Sequence, residues 1–117
     1  MEFDANRPIW LQVMNALETD IITGRRKPGE KLPGGRDLAL RFEINPNTAA
    51  RVYQELEKTG LCETRRGMGT FDTGDETVIA SARNDFIRQT VKSFLQRMAQ
   101  LGETPESAAR MILREEE

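Results

Sequence analysis

The chain has 117 residues, 38% of them hydrophobic and 31% charged, with a formal net charge of −2. That supports one ordinary domain, or a small domain with an appendage, around a modest core. There is no histidine and only one cysteine, Cys62, which excludes His-based acid–base catalysis, the usual zinc sites, an internal disulfide and a Cys–His nucleophile pair.

In chain order, a first helix is expected over about Pro8–Thr23. Asn6 is a candidate cap, Pro8 suits the first turn and Gly24 suits the exit. Trp10, Val13, Met14, Leu17 and Ile21 recur at helical spacing and form one apolar face. Arg25–Gly34 reads as loop, with a turn at Lys27-Pro28-Gly29 and an extended approach through Leu32-Pro33. A second helix is expected over about Gly35–Phe42, burying Leu38 and Phe42. After Glu43, Ile44 and Asn45 a third helix begins, with Asn45 as cap and Pro46 at the first helical position. It continues to about Lys58 and closes at Gly60. Val52, Tyr53 and Leu56 supply its core face, while Asn47, Thr48 and Arg51 point the other way.

Leu61–Arg65 and Thr70-Phe71 alternate about Arg66-Gly67-Met68-Gly69, the pattern of a β-hairpin. Asp72–Glu76 is a polar, Gly-containing break that reads as a boundary. A long helix follows over about Thr77–Leu101. Its Ile87, Val91, Phe94, Met98 and Leu101 are spaced alternately four and three apart, the spacing of a helix–helix seam, and Phe86 and Leu95 widen the stripe. Gly102 ends that helix. Thr104-Pro105 starts another, with Ala108, Met111 and Ile112 on one side. Its closing Glu115, Glu116 and Glu117 oppose the helix dipole, so fraying is expected there.

The expected fold is mainly α with a small β-hairpin. Residues 1–72 form an N-terminal winged helix-turn-helix and residues 77–117 a C-terminal two-helix dimerisation tail. No apolar run approaches the ~20 residues of a membrane span, and Met1-Glu2-Phe3-Asp4 lacks a signal-peptide pattern. A cytoplasmic protein is expected, not an enzyme, with no catalytic residue, metal, cofactor or membrane partner. Aromatics at 6% poorly supply a stacking surface for single strands. Between Thr23 and Phe71, however, ten Lys/Arg face six acids, so a basic middle lies between acidic ends.

Reading duplex DNA requires a helix whose N-terminal end enters the major groove carrying side chains that hydrogen-bond bases or phosphates. A capped N-terminus adds free N–H groups and a positive dipole end. Asn45, Pro46, Asn47, Thr48 and Arg51 meet these needs within seven residues. Arg65, Arg66, Gly67 and Gly69 would add cations on a closely approaching wing, and Arg36 opens the preceding helix. Lys31 is a further candidate contact. Taken singly, each feature also fits an ordinary capped helix or a solvated turn; their joint order and spacing point to DNA.

These residues resemble the GntR family of bacterial transcription regulators, and within it the YtrA-like subgroup. The resemblance runs through Pro8-Ile9-Trp10-Leu11-Gln12, Gly24, Pro28-Gly29-Glu30-Lys31-Leu32-Pro33 and Arg36-Asp37-Leu38-Ala39. It continues through Ile44-Asn45-Pro46-Asn47-Thr48, Tyr53-Gln54-Glu55-Leu56-Glu57, Gly60-Leu61 and Arg65-Arg66-Gly67-Met68-Gly69-Thr70-Phe71. It implies that Arg36 contacts DNA, that Asn45, Asn47 and Thr48 are reading positions, and that Gly67 and Gly69 form the wing tip. It further implies homodimeric repressors on inverted-repeat operators, in this subgroup often of transporter operons and sometimes linked to cell-envelope stress. Gly34 stands where the family usually has a capping Ser, Gly35 replaces a larger residue, and Glu43 stands where Gly is frequent. Ala50 replaces a contacting Arg found in many other members, which shifts the reading to Asn47 and Arg51.

The two helices after Phe71 are too small to enclose a drug-sized pocket, or to hide their apolar faces alone. A two-fold dimer is expected, with Phe86, Ile87, Val91, Phe94, Met98 and Leu101 at its centre, supported by Met111 and Ile112. The alternative is that the long helix folds back on its own winged domain. The expected partners are a palindromic double-stranded operator and a second copy; no sensor for a small-molecule effector is evident. The rival functions are a winged-helix protein-interaction module and a small-molecule-responsive binding protein.

Overall fold

The structure, a computed structural model, describes residues 1–115; Glu116 and Glu117, where fraying is expected, lie outside the described residues. The elements follow in the order α1 (Ile9–Ile22), α2 (Gly35–Phe42), α3 (Pro46–Lys58), β1 (Cys62–Arg65), β2 (Gly69–Asp72), α4 (Glu76–Gln100) and α5 (Pro105–Glu115). The fold is mainly helical with one antiparallel hairpin, a winged helix-turn-helix followed by two helices. It comprises two compact units, Met1–Arg83 and the remainder from Asn84, so α4 begins in the first unit and continues into the second.

In the first unit α1, α2 and α3 surround a core of Val13, Leu17, Ile21, Leu38, Ala49, Val52 and Leu56, closed below by Leu32, Leu61 and Cys62. Each large aliphatic side chain removed from water there contributes ~1.5–3 kcal/mol before entropy is counted. Val78, Ile79 and Ala82, from the first turns of α4, pack against the same core. Phe42 is half-buried at its edge, not fully inside as its spacing suggests, because α2 ends there.

Asn6 does not cap α1. Pro8 occupies the cap position without a side-chain bond, and Asn6 lies too far upstream, its N–H donating to Asp4 Oδ1 at 2.9 Å. The entry is instead secured from inside the helix by buried Gln12. Its Oε1 accepts from the Asp4 N–H at 2.8 Å, and its Nε2 donates to the carbonyls of Asp4 (2.8 Å) and Arg7 (3.0 Å).

The turn between α2 and α3 is short because Glu43 takes the left-handed conformation, φ 54°. This lets the Ile44 N–H donate back to the Ala39 carbonyl at 2.9 Å and sends the chain directly into Asn45. Its Oδ1 accepts from the Asn47 N–H at 2.7 Å, capping α3 with Pro46 at its start.

β1 and β2 pair with Cys62 opposite Asp72 and Arg65 opposite Gly69. Two expectations are corrected here. Lys31 is not simply in a loop: it forms a β-bridge with Phe71, flanked by Leu32 N–H to Thr70 carbonyl and Asp72 N–H to Glu30 carbonyl bonds, both 2.8 Å. Burial of Leu32 draws that extended stretch onto the wing. Asp72 is not linker either. It is fully buried at the end of β2, and Arg26 Nε donates to its Oδ2 at 2.7 Å.

In the second unit Gly102 ends α4 at φ 88°, with the Glu103 N–H donating to the Met98 carbonyl at 2.9 Å. Thr104 caps α5 reciprocally with Ser107: Ser107 N–H to Thr104 Oγ1 is 3.1 Å and Thr104 N–H to Ser107 Oγ is 2.9 Å.

Candidate nucleic-acid interface

The helix-turn-helix presents its polar residues at the start of α3. Asn47 is exposed and Thr48 half-buried, while Ala49 behind them is fully enclosed. Asn45 has its Oδ1 engaged in the cap, so only its amide N–H groups remain for a ligand. Arg36 is exposed in the first turn of α2. It shares an open surface depression with Ala39, Leu40, Glu43, Ile44 and Pro46, which brings it beside the start of α3. Its neighbours Asp37 and Arg41 pair with each other at 3.0 Å, leaving Arg36 outside any ion pair among the described residues. Tyr53 locks α3 to the approach of α2 by donating its hydroxyl to the Pro33 carbonyl; burial pushes its pKa up to about 12, so it remains a donor.

The wing places its cations unequally. Arg65 is tied down, bonded to Glu63 at 2.8 and 3.1 Å and stacked 4.3 Å from the Phe71 ring centroid. Arg66 is exposed at the tip, outside any ion pair among the described residues. Gly67 turns the tip at φ 77°. Gly69 sits at φ 117°, where a Cβ would lie 2.8 Å from Lys31 Cε. That close approach runs the Lys31 side chain along the wing, with its Nζ 6.0 Å from the Phe71 centroid.

Arg51 is exposed, but its guanidinium lies 4.3 Å from the ring centroid of Trp10 on α1. The spacing of Trp10 puts it on the apolar face of α1. It is half-buried, packing against the core while offering its ring to α3. The Arg26–Asp72 pair, 46 positions apart in sequence, likewise has no local sequence signal. Arg26 Nη2 also donates to the Lys31 carbonyl at 2.9 Å, joining the loop after α1 to the base of the wing. Burial pushes the Asp72 carboxyl above its usual range, with Arg26 acting against that rise, and its Oδ1 has no hydrogen-bond partner among the described residues. Cys62 is buried, its thiol pushed up to about 12 by that burial and by the acids around it, so it stays protonated and unreactive.

The positions expected at a dimer seam are on the surface of the second unit. Phe86, Ile87, Val91, Phe94, Leu101 and Ile112 are exposed, by 36% to 60%, while Met98 and Met111 are half-buried.

Across residues 10–71 the sequence matches the profile of the family described as bacterial regulatory proteins, gntR family. The chain belongs to the GntR family. It is 34% identical over 105 residues to the HTH-type transcriptional regulator YhcF of Bacillus subtilis (strain 168), covering 90% of this chain and 87% of that one. Over 92 residues it is also 34% identical to the HTH-type transcriptional repressor YtrA of the same organism, covering 78% of this chain and 71% of that one. A GntR family transcriptional regulator from Listeria monocytogenes superposes with a TM-score of 0.89 at 36% identity, covering 96% of this chain and 98% of that one. The YtrA-like resemblance therefore holds, and this GntR protein is a transcription regulator with a DNA-binding helix-turn-helix, not an enzyme. No helix among its described residues is long and apolar enough to cross a membrane.

Proposed function

We propose that this GntR protein is a cytoplasmic homodimeric repressor that binds an inverted-repeat operator, in keeping with a repressor among its relatives. Residues 1–72 act as the DNA-binding domain and residues 77–117 as the dimerisation region. Asn47 and Thr48 read base edges, while Arg51, Arg36, Lys31, Arg65 and Arg66 engage the backbone. Gly67 and Gly69 let the wing approach, and Asn45 both caps α3 and offers its amide.

The observation that carries this reading is the pairing of two uncovered surfaces in one chain. One is the capped start of α3 with Asn47, flanked by Arg36 on α2 and Arg66 on the wing, both outside any ion pair among the described residues. The other is an apolar stripe along α4 with no buried side chain among its own residues. The stripe supports pairing through Phe86, Ile87, Val91, Phe94, Met98 and Leu101, with Met111 and Ile112 at the margin. A two-fold pair would set recognition helices ~34 Å apart on successive turns of one face of the duplex. Binding would block a promoter, such as that of a transporter operon.

The test is a duplex titration with operator and random DNA. Asn47→Ala is expected to weaken operator binding by about 1–3 kcal/mol, and random DNA much less. Equal losses on both would remove Asn47 from sequence reading. A winged-helix protein-interaction module would show no preference between the two duplexes at all.

A further inference from the structure

We propose that Trp10 is a positioning residue for DNA binding: its ring holds Arg51 across the outer face of α3 as a phosphate clamp and keeps it away from the base edges. This rests on the DNA-binding reading above and assigns a role to a residue outside the helix-turn-helix itself. Arg51 is the only arginine of α3, lies one helical turn beyond Asn47 and is exposed. Its guanidinium carbon sits 4.3 Å from the Trp10 ring centroid, a stacking distance. No acidic side chain among the described residues forms an ion pair with it, so its charge stays available to a ligand.

A guanidinium laid flat on an aromatic ring keeps its N–H edge open, and that edge matches the oxygens of a phosphate. Stacking also removes rotamer freedom before the ligand arrives, so less is lost on binding. The same contact limits reach. A side chain turned onto α1 is not extended past the tip of α3, where base edges would lie. Trp10 is well placed to hold it, because the ring is itself fixed by packing against the core. Ala50, next in line on α3, carries no charge that could substitute.

The experiment uses the full chain and two duplexes of equal length, one enriched from a random pool by the wild-type protein and one unrelated. Arg51→Ala is expected to lose affinity equally on both and to reduce the salt slope by about one. Trp10→Leu, which keeps an apolar side chain but no π face, is expected to lose about threefold to tenfold on both duplexes; Trp10→Phe should stay near wild type. In an Arg51→Ala background, Trp10→Leu should have no further effect on DNA binding, because its influence passes through Arg51. A Trp10→Leu loss that persists undiminished in that background, or an Arg51→Ala loss confined to the enriched duplex, would overturn the proposal. Should Trp10→Leu fail to fold by circular dichroism, Arg51→Lys keeps the charge without the flat stack, and wild-type affinity in that variant would equally overturn it. A wild-type chain that enriches no duplex overturns the DNA-binding reading and this proposal together. Normal wild-type binding with Arg51→Ala unchanged overturns this proposal alone.

Discussion

Arg26 and Asp72 form the most enclosed ion pair in the first unit, with side-chain exposures of 14% and 1%. Burying a carboxylate is costly unless its partner stays, so Arg26→Ala is expected to lower stability by about 3 kcal/mol at neutral pH, read by urea unfolding. The pH dependence follows from the raised Asp72 pKa. A carboxyl held above its ordinary range contributes most in acid, and that contribution fades as pH rises through the raised value. Removing Arg26 takes away the influence that lowers this pKa, so the penalty of the variant should shrink as pH falls through the raised value. A penalty independent of pH would mean that Asp72 is not its source. Glu43 offers the opposite case. At φ 54° a side chain is strained, so Glu43→Gly should raise stability by about 0.5–1 kcal/mol in thermal unfolding. Neither pair of facts is equally visible in sequence. Glu43 follows a short helix and precedes a cap, which marks a tight turn. Arg26 and Asp72 stand 46 positions apart with no periodicity to connect them, and Asp72 beside Thr73, Gly74 and Asp75 looks like linker.

Among the elements, those with a chemical start signal were legible and those made by a single bridge were not. Asn45-Pro46 announces α3 because a capping oxygen and a fixed φ are both local properties. The third edge of the wing, the Lys31–Phe71 bridge, depends on the burial of Leu32 against distant elements, which no local pattern encodes. Trp10 was readable as apolar but not as a stacking platform, since its partner lies on another helix. The α4 stripe was readable from spacing alone. Its exposure agrees with a face awaiting a partner, and that leads to a test at this scale. Val91→Glu, on a side chain 52% exposed in the single chain, should leave the helical content of each chain intact while converting the proposed dimer to monomer in sedimentation. It should also weaken operator binding far more than binding to a single half-site. A Val91→Glu protein with unchanged mass in solution would move the interface elsewhere.

For the whole molecule, net charge is a poor guide and its distribution a good one. A chain at −2 overall concentrates its cations between Thr23 and Phe71, on the unit that carries the helix-turn-helix. The second unit adds apolar surface, the exposed side chains of α4 among them. The division of labour proposed for the two units therefore reduces to one stoichiometric statement about the complex with DNA. The most direct measurement is light scattering of the purified complex with a duplex enriched from a random pool, joined to the sequence of that duplex. The account predicts two chains on one duplex that carries two inverted half-sites about one helical turn apart. One chain on a duplex with a lone, asymmetric site would contradict it.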